Sequence, residues 1–474
     1  LVALFSIGAI VESVQLTSLR SPSVWGHLRT GAWILENRGV PRTGLFSQSA
    51  NLPWRDFSWG FDVLAAAMYR IAGLRVVAGL LMGFRLLAAL VLFLLAGGRK
   101  GNVWVAAALA AVGLYTLSSI GPAVTGASIV LFGLELSSLA EWRRRPEFRA
   151  KLLLPVLFLV WANLDTGFVY GIAALALFVT SLGVERTVRR SAMASDARKL
   201  LPKAAIVLLT CGIVSGVTPY GYSGYPAFWQ METSAANASI PGYAAMGFRQ
   251  PLDYVVLLLG MSAFLALGLR RSHDVSLIGL LGGSAMLAFH SQRESWLLMV
   301  SGVAVIGWML SGNRAIEEKP PIWRFDRHTI AVAGSSTALA ALAFVLLIPR
   351  DSRVLLAKVG ETLPVKACDY IRSAGLAQPL FNDYEWGGFV TWYLPEYPVA
   401  IDGRRGLYPQ GMESDYFKVM QVDVPYQSFP AMKNARTILL EKSNVVAQGL
   451  KTVPGFRVAY EDDVAIVLLQ DTNQ

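Results

Sequence analysis

The sequence predicts a polytopic α-helical membrane protein with a soluble α/β domain at its C-terminal end. Three observations carry that prediction. Runs of ~20 mostly apolar residues, the length a bilayer core demands of a spanning helix, recur through the first three quarters of the chain. Only 16% of the 474 residues are charged and 54% are hydrophobic, whereas an ordinary soluble domain carries about 25% charged residues. After residue 348 the apolar runs give way to short β-rich stretches alternating with helical ones.

Spans are expected near 1–19, 76–97, 103–119, 122–141, 152–166, 168–184, 204–220, 253–269, 275–290, 294–311 and 328–348, about eleven in all. The first, "LVALFSIGAIVESVQL", has no basic flank and reads as a span whose cytoplasmic start precedes the sequence. The basic loops fix the register. "GGRKGN", "EWRRRPEFRAK", 185–203, "LRRSHD" and 312–327 carry 2, 5, 6, 2 and 4 Lys/Arg, and with this number of spans all five fall on one face. The opposite connections "SSIGP", "NLDTG" and "HSQRE" carry almost none, as the positive-inside rule requires. Residues 349–474 hold 13 Lys/Arg against 15 Asp/Glu, and the preceding 348 residues hold 29 against 17. A basic surplus confined to loops between apolar helices is an insertion signal, so the net charge of +10 does not indicate nucleic acid.

"FSWGFDVLAAAMYRIAGL" (57–74) is apolar enough to span, but counting it would invert every later loop. It is therefore placed at the outer interface, and residues 20–75 become one long extracytoplasmic loop with interfacial helices. In the first of these, Val24, Leu28 and Leu35 share a face with Trp25. Residues 1–348 thus form a transmembrane domain. Residues 349–474 form an extracytoplasmic α/β domain with a largely parallel sheet, its strands expected at "PLFND", "YPVAIDG", "RTILLEK", "FRVAYED" and "VAIVLLQ". In a bacterium that side is the periplasm and the membrane the inner one.

Polar groups at membrane depth are costly and so mark candidate sites. The outer face collects Trp25, His27, Arg29, Asp56 and Asp62. It also holds Asn163 and Asp165 in "WANLDTGFVYG", Tyr220, His290, Arg293 and Glu294, while Glu12 and Arg85 lie within spans. Each has a plainer reading: Asp165 and Asn163 can cap a helix, Arg293 can neutralise Glu294, and Glu12 can pair with Arg85. In the tail, Asp383, Glu385, Asp402, Arg404 and Arg405 cluster in the Gly-rich turns "DYEWGGFVTWYL" and "AIDGRRG". Such turns either cradle a phosphate or sugar, or pack the tail against the outer loops. Cys211 and Cys368 sit in different regions and the four His are scattered, so neither a disulfide framework nor a metal-ligand spacing is present.

The layout resembles that of the GT-C superfamily of integral-membrane glycosyltransferases, closest to bacterial relatives of the mannosyl- and oligosaccharyl-transferase type. "WGHLRTGAWILENRGVPRTGLFS" is similar to the family's first-loop signature, "LPVLFLVWANLDTGFVYG" to its "LP…WANLHGGF" pattern, and "FNDYEWGGFVTWYLPEYPVAIDGRRGLY" to its tail motif. The resemblance implies a polyprenyl-phosphate sugar donor, an extracytoplasmic acceptor and a carboxylate soon after the first span. In that scheme Trp25, His27, Arg29, Arg293 and Tyr220 contact the lipid phosphate or substrate.

The chain departs from the pattern where chemistry is expected. Beside "SPSVW" stand Ser21, Pro22 and Ser23, Gly44 occupies a position where relatives carry Asp, and Asp165 replaces the expected His. Between Glu12 and Asp56 the sole acid is Glu36. An acid/base group must reach the proton it moves, so Asp56, Asp165 and Glu12 are the remaining catalytic candidates. The missing acids favour a GT-C-like protein that has lost classical transferase chemistry and serves as a structural or accessory subunit of a membrane complex. The alternative is an active glycosyltransferase, and in that case alone would a divalent metal be expected. A transporter is disfavoured because no repeated halves are visible. Expected partners are membrane lipids, including polyprenyl phosphate, and other membrane-protein subunits.

Overall fold

The computed structural model describes residues 17–97, 102–118, 124–145, 150–188, 192–240, 242–272, 274–311, 342, 344, 346, 348–409 and 411–471. In chain order the principal helices are α1 (Pro22–Asn37), α2 (Trp59–Leu95), α3 (Val103–Ser118), α4 (Thr125–Arg144), α5 (Ala150–Leu164), α6 (Phe168–Val188), α7 (Ala192–Val214), α8 (Gly224–Glu232), α9 (Pro251–Leu269), α10 (Val275–His290) and α11 (Ser295–Ser311). The tail adds α12 (Ser352–Val359), α13 (Val365–Ala374), α14 (Gly387–Tyr393), α15 (Met412–Met420) and α16 (Val445–Leu450). Its strands are β1 (Leu380–Asn382), β2 (Thr437–Glu441), β3 (Phe456–Glu461) and β4 (Ala465–Gln470). The chain divides into two compact units, one built from Leu81–Pro226 and Gly242–Leu347, the other from Val14–Leu80, Ala227–Pro241 and Ile348–Gln474.

The first unit is a helical bundle. Among the described residues, Trp59–Leu95, Phe168–Thr187, Pro251–Leu269 and Gln292–Leu310 are long and apolar enough to cross a membrane, with shorter apolar helices at Val103–Thr116, Leu152–Leu164 and Val275–His290. Small residues let these helices approach closely. A Cβ on Gly307 would stand 2.3 Å from the Leu95 carbonyl oxygen, and one on Gly133 would stand 2.3 Å from a Val91 methyl. Phe132, Trp161 and Trp296 fill the interior, with Trp296 edge-on to Phe132 at 5.6 Å. Outward, Leu258, Met261, Leu265 and Leu269 on α9, and Ile206, Leu209 and Ile213 on α7, lie exposed at helical spacing. An apolar exterior of this kind is what lipid contact requires.

The segments expected at 57–74 and 76–97 form one helical run, α2, interrupted where the sequence reading divides them. Ala72 and Gly73 leave helical geometry, and Gly73 takes φ of 68°, a conformation glycine adopts at little cost. The segment expected at 204–220 begins earlier, at Ala192, because "ARKLLPK" also supports helix despite Pro202. The expected first span at 1–19 lies almost wholly outside the described residues, as does most of 328–348.

The second unit joins α1, the start of α2 and the tail. Trp25, wholly buried, meets Trp392 in a tilted pair at 4.6 Å and stands edge-on to Phe389 at 5.2 Å. Gly388 permits the approach of α14 to α1, since a Cβ there would lie 2.7 Å from the Pro22 carbonyl oxygen. The sheet has the order β1-β2-β4-β3. Only β1 and β2 pair in parallel; β2–β4 and β3–β4 are antiparallel, which corrects the largely parallel sheet expected from sequence. The reason is local. The turn after Glu461 is too short for a crossover, and Asp462 closes it by accepting from the Val464 and Ala465 amides at 2.8 Å. "YPVAIDG" is not a strand either. Asn382 takes two of its hydrogen bonds, accepting from Ala400 N and donating to Ile401 O, both at 2.8 Å, and Val399 makes only an isolated bridge to Ser47.

Candidate functional site

Two acids and a histidine converge in the second unit. Asp56 lies in the turn before α2, its carboxylate accepting from Ser58 N at 3.0 Å, and Asp62 follows on the helix's first turn. Gly31 brings α1 onto this turn so closely that a Cβ would stand 1.9 Å from the Asp62 carbonyl oxygen. That approach sets His27 Nδ1 2.6 Å from Asp62 Oδ1, with the His27 ring edge-on to Phe61 at 5.2 Å. Asp56 and Asp62 lie close enough for their carboxyls to interact. Burial first, and then the neighbouring Asp62 charge, push the Asp56 carboxyl well above the usual aspartate range. Such a cluster can hold and share a proton. Its carboxyls are nevertheless interior, with Asp56 4% and Asp62 1% exposed. Among the described residues no three His, Cys, Asp or Glu side chains converge to hold a metal ion.

The tail turn "AIDGRRG" fastens neighbouring segments. Arg404 Nε donates to Asp402 Oδ2 at 2.9 Å, its Nη2 stands 2.7 Å from the same oxygen as an ion pair, and its Nη1 donates to the Leu45 carbonyl. Its guanidinium lies 5.1 Å from the Trp54 ring and 5.9 Å from Phe46, the ring that Arg29 also covers at 4.7 Å. Arg405 donates to Met231 O at 2.9 Å and to Asn237, and its carbonyl accepts from Trp54 Nε1 at 3.3 Å. Gln48 N and Val399 N complete the seam, donating to Val399 O and Phe46 O. The glycines of "WGGF" admit neighbouring protein rather than a ligand: a Gly387 Cβ would meet the Ile401 carbonyl oxygen at 2.5 Å. Asp383 and Glu385 belong to the β1–α14 connection. Asp383 accepts from Glu385 N at 2.9 Å, and burial pushes its carboxyl up to about 6.

Three candidates belong to the first unit. Asp165 accepts from Ser128 Oγ, which in turn accepts from Trp161 Nε1 at 2.8 Å, a buried corner in which Gly167 leaves room for the Ser128 hydroxyl. Arg293 lies 4.8 Å from the Tyr243 ring centroid and 3.9 Å from Glu294. Tyr220 precedes the 3-10 turn Gly221–Ser223, its carbonyl accepting from Ser223 Oγ at 2.7 Å. Trp25 is core, with its indole N–H donated to Leu19 O at 2.9 Å. Glu12 lies outside the described residues.

The structure thus joins His27 to Asp56 through Asp62, and Arg29 to Arg404 across Phe46. Asp62 was visible in sequence as an outer-face acid but not as the link between those two. Glu135 was missed altogether. It is wholly buried on α4, and neither carboxyl oxygen has a hydrogen-bond partner among the described residues. An acid inside the apolar run "LFGLELSSLA" was the available signal.

These features define a membrane protein in which the segment before α2 packs with an α/β tail. No protein-family model matches the sequence, and no curated protein matches it. Among solved structures the chain is similar to the archaeal oligosaccharyltransferase AglB from Archaeoglobus fulgidus, solved in complex with an inhibitory peptide and a dolichol-phosphate. The TM-score is 0.50 at 10% identity, covering 93% of this chain and 69% of that one. At that identity the likeness establishes the fold alone, and the fold is GT-C-like.

Proposed function

We propose that this protein is a GT-C-like membrane protein without classical transferase chemistry, acting as a structural or accessory subunit of a membrane complex. The observation that carries the reading is the burial of Asp56 and Asp62, with Asp62 bonded to His27 and Asp56 accepting from Ser58 N rather than turned to a surface. A general acid or base must lie within hydrogen-bond reach of the proton it moves. In this reading the cluster holds α1 against α2, the Arg404 seam holds the outer loop on the tail, and about eleven spans put the tail on the periplasmic side of a bacterial inner membrane.

One observation favours a second reading, an active glycosyltransferase. Two acids and a histidine brought together, with burial raising the Asp56 carboxyl above the usual aspartate range, are also what acid/base catalysis uses. The donor would then be a polyprenyl-phosphate sugar, in keeping with the dolichol-phosphate bound by the archaeal enzyme. Transfer from a radiolabelled polyprenyl-phosphate sugar by the purified full chain separates the two. The first reading expects no product above the protein-free control. Turnover that disappears in Asp56→Asn and Asp62→Asn establishes the second.

A further inference from the structure

Away from these residues, the first unit holds a half-open cavity of about 720 Å³, a size suited to a small-molecule or lipid-chain ligand. Its body is apolar, walled by Leu177 and Phe178 of α6, Leu280 of α10 and Trp308 of α11. Its polar lining is basic. Arg143 and Arg144 end α4 and Arg270 ends α9, all three lining the cavity beside Asp274.

These arginines are not equally committed. Arg143 pairs through Nη2 with Glu185, and with Asp274 at 3.5 Å, while its Nη1 is buried without a hydrogen-bond partner. Asp274 is further occupied in capping α10, accepting from Ser276 N at 2.9 Å. Arg144 and Arg270 are exposed and form no hydrogen bond or ion pair among the described residues. Glu185 and Asp274 are therefore taken up by Arg143 and the helix cap, and Glu141, whose charge Arg144 also feels, is paired with Arg145 at 3.3 Å. Positive charge is thus in excess over an apolar chamber, with the Arg144 and Arg270 guanidiniums and the Nη1 edge of Arg143 left to donate. Guanidinium forks favour phosphate oxygens, and basic pockets between membrane helices favour anionic headgroups.

We propose that this cavity binds an anionic phospholipid of the leaflet its basic end faces, one acyl chain lying along Leu177, Phe178, Leu280 and Trp308. The phosphate is held by Arg144, Arg270 and the Nη1 edge of Arg143. The proposal does not depend on whether the chain transfers sugar, because none of these residues belongs to the Asp56 cluster or the Arg404 seam.

The test titrates the full chain in non-ionic detergent with phosphatidylglycerol or phosphatidylcholine and counts retained lipid by native mass spectrometry. Phosphatidylglycerol is expected to be retained in preference to phosphatidylcholine. The double variant Arg144→Ala/Arg270→Ala, altered at two exposed positions, is expected to bind phosphatidylglycerol about thirtyfold more weakly, and Arg144→Lys/Arg270→Lys to recover most of that loss. Equal retention of the two lipids, or unchanged retention in the alanine double variant, overturns the proposal. Displacement by millimolar inorganic phosphate alone also overturns it, showing an ion site without a chain. Displacement by an equimolar polyprenyl phosphate reassigns the cavity to an isoprenoid and overturns it equally.

Discussion

Gly31→Ala tests how the first loop is built. A methyl at that position would lie 1.9 Å from the Asp62 carbonyl oxygen, 2.4 Å from its carbon and 2.9 Å from Ala66 Cβ. Two of these obstacles are backbone, so no rotamer change relieves them, and α1 must lift from α2 by about 1.5 Å to restore ordinary contact. The 2.6 Å His27–Asp62 hydrogen bond then opens past bonding range and leaves a buried carboxylate without its imidazole. Overpacking costs about 1–3 kcal/mol and losing a charge-assisted bond about 1.5–3 kcal/mol, so the expected loss is about 3–5 kcal/mol. For a unit of this size that lowers the melting temperature by about 10 °C. Tryptophan fluorescence during thermal unfolding of the detergent-solubilised chain reads it, with Trp25 on the same helix. Gly449→Ala is the control: it sits in α16 with nothing within 4 Å, and the substitution is expected to stabilise by about 0.5–1 kcal/mol. A Gly31→Ala protein melting at or above the parent temperature refutes the packing of α1 on α2.

Other expectations follow from single residues. The folded Asp383 carboxyl is raised to about 6, so the unfolded chain ionises first and stability falls as pH rises from about 4 to about 6. Asp383→Asn keeps the acceptor for Glu385 N and should flatten that fall in a pH series of melting curves, with a gain at pH 7. Arg404→Ala strands Asp402, which is 2% exposed; a loss of about 3–5 kcal/mol is expected, with new protease cleavage between residues 41 and 58. Glu135→Leu removes two buried oxygens that lack partners and should stabilise the chain by about 1–3 kcal/mol in chemical denaturation.

Much of the helical layout was legible because the apolar runs are long and punctuated. Val275–His290 matches its expected bounds, and Pro251–Leu269 begins two residues early, where Pro251 opens the helix and Asp253 completes a capping box with Gln250. Gly73 marked the break within α2. The sheet was read less well, since strand direction depends on connection length and on partners distant in sequence. The short Asp462 turn should have signalled a hairpin between β3 and β4. "YPVAIDG" has strand composition, but the Asn382 side chain takes Ala400 and Ile401 while Val399 bonds to Phe46 and Gln48, far away in sequence. In the site, individual charged residues were visible while their pairing was not. Asp402 takes Arg404 two residues away, but the seam to Leu45 joins residues 359 positions apart, a distance at which one sequence shows no pattern.

The burial of the first-loop acids can be measured directly by labelling carboxyl groups with a water-soluble carbodiimide and an amine in the folded full chain, followed by peptide mass spectrometry. Asp56 and Asp62 are expected to stay unmodified while exposed Glu385 and Glu361 react, and all four are expected to react once the chain is unfolded. Modification of Asp56 in the folded chain at the rate of Glu385, suppressed by an added polyprenyl-phosphate sugar, would contradict this expectation and mark an open, substrate-facing acid.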